Sequence, residues 1–346
     1  MSRFDAARQL LADGVAARSF PAAVLEVGSR QGVTWRAAAG RLTFDTDSPP
    51  AADDTIFDLA SLTKVIATAS AAMRLVEGGA LRLADRVSRH VPGWEGHDRA
   101  HVVLRDLLEH CAGLTGWMPF YQGCAGTHEV VRGICDLPLE YVPWTQAVYS
   151  DLGFMLLGLV VQNAGGKPLD AQAAAVTDGL ELCYRPPAAW KSRTAPTGHD
   201  AWRGRLLAGE VHDENAWALG GVAAHAGLFG SAPAVGAFAR LVLRTFDGET
   251  ALGRPDTLRR FVTRSTVPRS SRALAWDTML PSSSCGTRMS PRAIGHTGFT
   301  GTSLWIDPER DVYVVLLTNR VYAGREGEGL KRLRPLVHDA VMKDFA

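Results

Sequence analysis

Ser61-Leu62-Thr63-Lys64-Val65-Ile66-Ala67-Thr68-Ala69-Ser70-Ala71-Ala72-Met73-Arg74-Leu75-Val76-Glu77 is the stretch on which the fold turns. Its apolar positions, Leu62, Val65, Ile66, Ala69, Ala72, Met73 and Val76, recur with a helical period, and Gly78-Gly79 supplies a stop. The spacing predicts a deeply buried helix from Ser61 to Glu77. Residues i and i+3 share a helix face, so the Ser61 hydroxyl and the Lys64 amine can meet. A free hydroxyl is a poor nucleophile at neutral pH, and a neighbouring amine that sheds its charge can accept its proton. A lysine on so apolar a helix is costly unless paired or used. Ser-x-x-Lys alone also occurs on helix surfaces that carry no chemistry, so the pair needs support from elsewhere.

On the N-terminal side, residues 4–18 are spaced as an amphipathic helix, and Ala22–Val27 and Val33–Ala39 read as strands joined at Gly28–Gly32 into a hairpin. Residues 46–55 form a Pro/Asp-rich loop. On the C-terminal side, residues 103–109, 151–164 and 233–246 read as helices, the second stopped by Gly165-Gly166. Ala293–Thr300, Thr302–Asp307 and Val312–Thr318 then read as three strands, and a helix from about Gly329 to Asp344 closes the chain. Strands at both ends with helices between them predict an α/β (α+β) fold, with one sheet assembled from both termini and a mostly helical insertion. The expected organisation is a single catalytic unit over 1–346. An α/β lobe would take about 1–80 and 235–346, and a mainly helical lobe about 81–234.

The bulk numbers narrow the function classes. Of 346 residues, 46% are hydrophobic and 21% charged, which suits a sizeable core. Lys plus Arg is 37 against 36 for Asp plus Glu, and no long basic tract exists, which argues against nucleic acid as a partner. Residues 1–20 lack an uninterrupted apolar core of signal-peptide length, and the longest apolar stretch, Trp217–Phe229, reads as packed interior rather than a membrane span. A cytoplasmic protein acting on a small-molecule substrate is expected. Five cysteines, Cys111, Cys124, Cys135, Cys183 and Cys285, include no C-x-x-C pair, so free thiols are expected rather than disulfides or a zinc site. The nine tryptophans look scattered, as core and cleft walls. His110 reads as a loop or core residue and Gly113 as a turn.

Two further short motifs follow Ser61-x-x-Lys64. Tyr149-Ser150-Asp151 stands at the start of helix 151–164, where Ser150 or Asp151 could simply be the N-cap. His296-Thr297-Gly298 lies in the first C-terminal strand, where small residues allow close approach of another backbone or a ligand; alone, it would read as an edge strand with a tight turn. Ser-x-x-Lys, Tyr-x-Asn and Lys-Thr-Gly in that order are the signature of the penicillin-recognising serine hydrolases. The sequence resembles that family over about residues 20–320, and more closely its class C β-lactamase, D-aminopeptidase and esterase branch. The stretches Phe57–Lys64, Leu107–Leu114, Tyr149–Phe154 and His296–Pro308 carry the likeness.

The resemblance implies a β-lactamase/transpeptidase-like fold and an acyl-enzyme on Ser61, with Lys64 moving a proton and Tyr149 acting as base or relay. It implies an oxyanion hole from the backbone N–H groups of Ser61 and Phe299, a substrate wall of Asp151, His296, Thr297 and Gly298, and no metal or organic cofactor. Two residues depart from the pattern. Asp151 replaces an asparagine, and a carboxylate facing Lys64 would keep the amine charged and shift weight to Tyr149, unless it turns away or is itself protonated. His296 replaces a lysine, and a neutral imidazole is a poorer clamp for a substrate carboxylate.

Gly209-Glu-Val-His-Asp-Glu-Asn-Ala216 resembles a subgroup that includes amidases cutting between N-acetylmuramic acid and L-alanine. Its His212, Glu214 and Asn215, with His225, either line the cleft or belong to a surface loop salt-bridged through Arg203 and Arg205. An amide hydrolase acting on peptidoglycan-derived or D-amino-acid compounds is the leading expectation. A small-ester hydrolase, a β-lactamase and a non-catalytic penicillin-binding sensor stand behind it. No Gly-x-Ser-x-Gly elbow exists, which disfavours a Ser-His-Asp triad.

Overall fold

The computed structural model describes residues 3–345. Eleven strands are present: β1 (Ala22–Ser29), β2 (Gly32–Gly40), β3 (Phe57–Asp58), β4 (Leu182–Tyr184), β5 (Gly198–Asp200), β6 (Arg205–Leu207), β7 (Leu228–Gly230), β8 (Asp277–Thr278), β9 (Ile294–Thr297), β10 (Ser303–Asp307) and β11 (Val312–Thr318). The longer helices are α1 (Asp5–Ala16), α2 (Ser70–Glu77), α3 (Leu104–Leu108), α4 (Gly126–Asp136), α5 (Asp151–Gly165), α6 (Leu169–Val176), α7 (Glu214–Ala218), α8 (Ala232–Phe246), α9 (Pro255–Val262) and α10 (Gly329–Phe345).

One six-stranded antiparallel sheet runs β2-β1-β11-β10-β9-β8. Within it β1 pairs with β11, Leu25 opposite Leu316, so the two ends of the chain are joined as the order of elements predicted. β1 and β11 are near-continuous apolar runs because both faces of the sheet are covered. Ala23, Leu25 and Val27 pack with Val314, Leu316 and Trp305 under α1 and α10. Val24, Val315 and Leu317 face the larger core, which includes α8 residues Val235, Phe238 and Val242.

The expected hairpin is present, with its strands reaching Ser29 and Gly32, a shorter connection than Gly28–Gly32, and a bulge at Val27/Gly28. Two expectations need correction. The helix expected from Ser61 starts one residue later, at Leu62, and its Lys64–Ala69 stretch is π-helical before it continues as α2. Its first turn is closed by Thr63 N–H on Ala60 O and Lys64 N–H on Ser61 O. The strand expected over Ala293–Thr300 stops at Thr297. There Gly298 N–H donates to Thr302 O and Gly301 N–H to Gly298 O, closing a turn.

The helical part packs behind the Ser61 turn, with the π-helical stretch against α5 and α6 and α2 against α5, α6 and α9. β7 pairs with β3, bringing residues 225–230 alongside the segment that leads to Ser61. Across the cleft, Thr300 Oγ1 donates to Asp58 O at 2.7 Å and Thr302 Oγ1 to Leu59 O at 3.0 Å. The turn after β9 is thereby fastened to the segment that leads from β3 to Ser61. Among the described residues no helix is long and apolar enough to cross a membrane.

Candidate active site

Three elements meet at Ser61. It sits in the turn before the π-helical stretch, Tyr149 and Asp151 flank the start of α5, and His296 to Phe299 run off the end of β9. Ser61 Oγ accepts from Lys64 Nζ at 2.9 Å and from Tyr149 OH at 2.8 Å. Lys64 is fully buried, and its ammonium also donates to His225 O at 2.9 Å and lies 2.6 Å from Asp151 Oδ1. Asp151 therefore faces Lys64, not solvent. Burial opposes the charge on Lys64, but the Asp151 carboxylate, with Tyr149 behind it, raises the amine above its ordinary value. Burial also pushes the Tyr149 phenol up; Lys64 pulls it back and Asp151 pushes it further.

Local sequence explains this placement. Ser150 is the N-cap of α5: its hydroxyl accepts from Gly153 N–H at 3.3 Å and donates to Thr115 O at 2.6 Å. Asp151 is consequently the first helical residue rather than the cap. His110 lies beneath, its ring 4.6 Å from that of Tyr149 and 5.1 Å from that of Phe154, with Nδ1 accepting Ser150 N–H at 3.0 Å. It supports the tyrosine and is a core residue, held neutral by burial and then by Arg272 and Lys64.

On the opposite wall His296 is buried, and its Nδ1 lies 2.8 Å from Thr297 O, which puts the ring proton on Nδ1 and leaves Nε2 as an acceptor. Burial, then Arg272 and Lys64, depress its pKa, so it carries no charge at neutral pH. Gly298 is small for a stated reason: a Cβ there would stand 2.2 Å from Thr302 Oγ1 and 2.6 Å from Leu59 O. Neither the Ser61 nor the Phe299 N–H has an acceptor among the described residues.

Ser61, Tyr149, Asp151 and His296–Phe299 line one cavity of about 620 Å³. His212, Glu214 and His225 line it too, and Asn215 does not. Asn215 is buried and braces another loop, accepting from Tyr121 N–H at 2.9 Å and donating to Met118 O at 2.8 Å; at the second position of α7 it points away from the cleft. The 202–230 segment is both things the sequence allowed. Arg205 and Arg203 pair with Glu210, while Arg203 also donates to Val211 O and His212 O, holding the backbone that presents His212 to the cleft.

Other lining residues were not singled out as site residues from the sequence, although Asp213 and Asp58 lie in stretches that carry the likeness. Asp213 caps α7 and lies 2.9 Å from His225 Nε2; against its own burial, His225 holds its carboxyl down to about 2. Asp58 accepts from His212 N–H at 2.7 Å and Ala60 N–H at 2.8 Å, and burial pushes it up to about 6. Arg272, Arg320, Arg325 and Arg334 also face the cavity. Nor are the tryptophans all scattered. Trp202 touches Tyr121 and Trp217 edge-on, Trp117 lies beside Tyr121, and all three tryptophans are exposed, so Trp217 is surface rather than packed interior.

All five cysteines are free thiols. Among the described residues no group of His, Cys, Asp and Glu is placed to hold a metal ion.

A family model described as Beta-lactamase matches residues 7–339. An N-acetylmuramyl-L-alanine amidase of Bacillus subtilis (strain 168) is 31% identical over 309 residues, 77% of this chain and 68% of that protein. A protein of Salmonella schwarzengrund (strain CVM19633), provisionally named a D-alanyl-D-alanine carboxypeptidase, is 30% identical over 315 residues, 79% of this chain and 71% of that one. Among solved structures, EstCE1, a hydrolase with promiscuous acyltransferase activity, superposes with a TM-score of 0.77 at 21% identity, covering 97% of each chain. A class C β-lactamase from Rhodobacter sphaeroides gives 0.75 at 18% identity, covering 99% of this chain and 100% of that one. These two likenesses show the β-lactamase/transpeptidase-like fold. With the family match spanning nearly the whole chain, this protein belongs to the Beta-lactamase family and is a serine hydrolase.

Proposed function

We propose that the protein hydrolyses an amide through an acyl-Ser61 intermediate, and that its substrate is a muramoyl-L-alanine compound. The observation that carries the chemistry is the pair of donors on one oxygen: Ser61 Oγ accepts from Lys64 and from Tyr149 at once. A hydroxyl gripped in this way attacks only after one of the two has lost a proton. Lys64 is held charged by Asp151, which makes Tyr149 the group that must ionise, with the ammonium stabilising its phenolate.

The Tyr149 oxygen then takes the Ser61 proton as Oγ bonds to the carbonyl carbon, and returns it to the leaving nitrogen as the C–N bond breaks. The Ser61 and Phe299 N–H groups are the donors for the oxyanion, each typically worth about 3 kcal/mol in the transition state. Water deacylates Ser61 by the same route. Because both lobes contribute to this cavity, the whole chain acts as one catalytic unit.

The substrate assignment is supported by the amidase likeness and by His212, Asp213 and Glu214, from the stretch that resembles such amidases, lining the cavity. A neutral His296 in the lysine position disfavours a substrate that must be held there by its carboxylate, as a penicillin or a terminal D-alanine would be. The test is product analysis by mass spectrometry. N-Acetylmuramoyl-L-alanyl-D-isoglutamine should yield N-acetylmuramic acid and the free dipeptide, and Ser61→Ala should yield neither. Release of D-alanine from a peptide ending in D-Ala-D-Ala, with the muramoyl amide untouched, would reassign the protein as a carboxypeptidase.

A further inference from the structure

Beyond Ser61 the catalytic cavity runs toward the start of α10, where Arg320, Lys331 and Arg334 form its wall. Arg334 is 7% exposed and Arg320 6%. A guanidinium offers five N–H donors. Those of Arg320 go to carbonyl oxygens, Nη1 to Arg325 O at 3.0 Å and Gly327 O at 3.2 Å, and Nη2 to Phe299 O at 2.7 Å. Arg334 has one long contact, Nη2 to Thr302 O at 3.5 Å, and its buried Nε has no partner.

No carboxylate pairs with either arginine among the described residues. Glu214 pairs with Arg325 and Glu328 with Lys331, and Glu328 and Glu326 reach Arg320 only through space, against its burial. Behind Arg334, one turn along α10, stands His338, fully buried with neither ring nitrogen partnered; Ser303 Oγ on β10 is also unpartnered. Burial, then Arg334, hold that imidazole neutral, and burial, then Arg320, bring Arg334 itself down to about 10.

Two buried cations side by side, opening on a catalytic cavity with no carboxylate in contact with either, are an expensive arrangement that an anion would relieve. We propose that this end of the cavity is a subsite for a carboxylate carried by the substrate, with the Arg334 guanidinium as its hydrogen-bond donor and Arg320 as the second positive charge. The recognition charge that His296 does not supply on one wall is thereby supplied on the other. This assignment rests on the acyl-Ser61 reading and fixes a chemical feature of its substrate.

Activated esters test it without knowledge of the natural substrate. p-Nitrophenyl half-esters of succinic, glutaric and adipic acids place a carboxylate on the acyl side at three reaches, each compared with the neutral p-nitrophenyl ester of matching length. Acetoxybenzoates, compared with phenyl acetate, place it on the leaving side. In wild type at least one carboxylate member should exceed its neutral counterpart in kcat/KM by about tenfold or more, and that ratio should collapse toward one in Arg334→Met and partly recover in Arg334→Lys.

Arg334→Met should also melt no lower than wild type, because it removes an unpaired buried charge; a purely structural arginine would give a lower melting temperature. Ester turnover with no carboxylate preference, or a preference that survives Arg334→Met, would overturn the subsite alone. No turnover of any ester would overturn the acyl-Ser61 reading and the subsite together.

Discussion

Asp151 is the residue whose chemistry departs furthest from the pattern the sequence resembles. Its carboxylate and Lys64 form a buried ion pair at the foot of the nucleophile, and its charge raises both Lys64 and Tyr149. Activity that needs a deprotonated base falls as pH falls, so the acid limb of kcat/KM reports that base. Asp151→Asn removes a charge that disfavours deprotonation of either group, and the limb should move to lower pH by about one unit. An unchanged limb, read from a pH–rate profile, would mean that neither group is the base. Asp151→Ala leaves the ammonium buried and unpaired, and chemical denaturation should show a loss of about 3 kcal/mol. Tyr149→Phe should lower kcat by about a hundredfold or more with the fold intact by circular dichroism. Ser61, Lys64 and Tyr149 were legible because three short motifs kept their order and because a lysine on an apolar helix demands a reason. The direction of Asp151 was not, since rotation about one side-chain bond would have sent the carboxylate to solvent. Arg334 was illegible for a different cause: among 37 basic residues, burial without a paired carboxylate exists only once the chain is folded.

At the scale of elements, most of the secondary structure followed from periodicity, and the exceptions lie at the site. The helix over 61–77 starts at Leu62, with Ser61 in the i→i+3 turn that opens it, and runs as a π-helical stretch over 64–69 before becoming regular at Ser70. Its apolar spacing is compatible with either backbone, so the sequence could not tell them apart. β9 ends early because the tight turn expected at Gly301 already begins at Gly298. That turn carries a specific demand. Gly298→Ala would press a methyl against Thr302 Oγ1 and the Leu59 carbonyl, prying the Phe299 N–H away from Ser61. Because only the turn must shift, kcat should fall at least tenfold with a melting temperature within a few degrees of wild type. Ser150→Ala removes the α5 cap and the bond to Thr115, costing about 1 kcal/mol of stability in urea unfolding. It also loosens the placement of both Tyr149 and Asp151, so kcat should drop more than KM rises.

For the whole molecule, the sheet built from both chain ends was readable in the order of elements, because β1 and β11 are apolar on both faces and need covering helices. The cleft was not, since Asp58, His212 and Thr300 are far apart in sequence and meet only when the turn after β9 docks beside β3. Burial of Asp58 couples that junction to pH. Its carboxyl is raised to about 6, so between the ordinary aspartate value and that point the folded chain binds an extra proton. The contribution of Asp58 to stability therefore declines as pH rises through this window. Asp58→Asn cannot titrate, and relative to wild type it should gain roughly 1 kcal/mol between pH 5 and pH 7.5 in urea unfolding. A constant difference between the two proteins would refute the raised carboxyl. The claim on which all else depends is covalent chemistry at Ser61, and intact-protein mass spectrometry tests it most directly. Wild type mixed briefly with a p-nitrophenyl ester should gain the mass of the acyl group and then lose it with turnover, while Ser61→Ala should gain nothing. An adduct of equal size on Ser61→Ala, or p-nitrophenol released at the wild-type rate without Ser61, would contradict it.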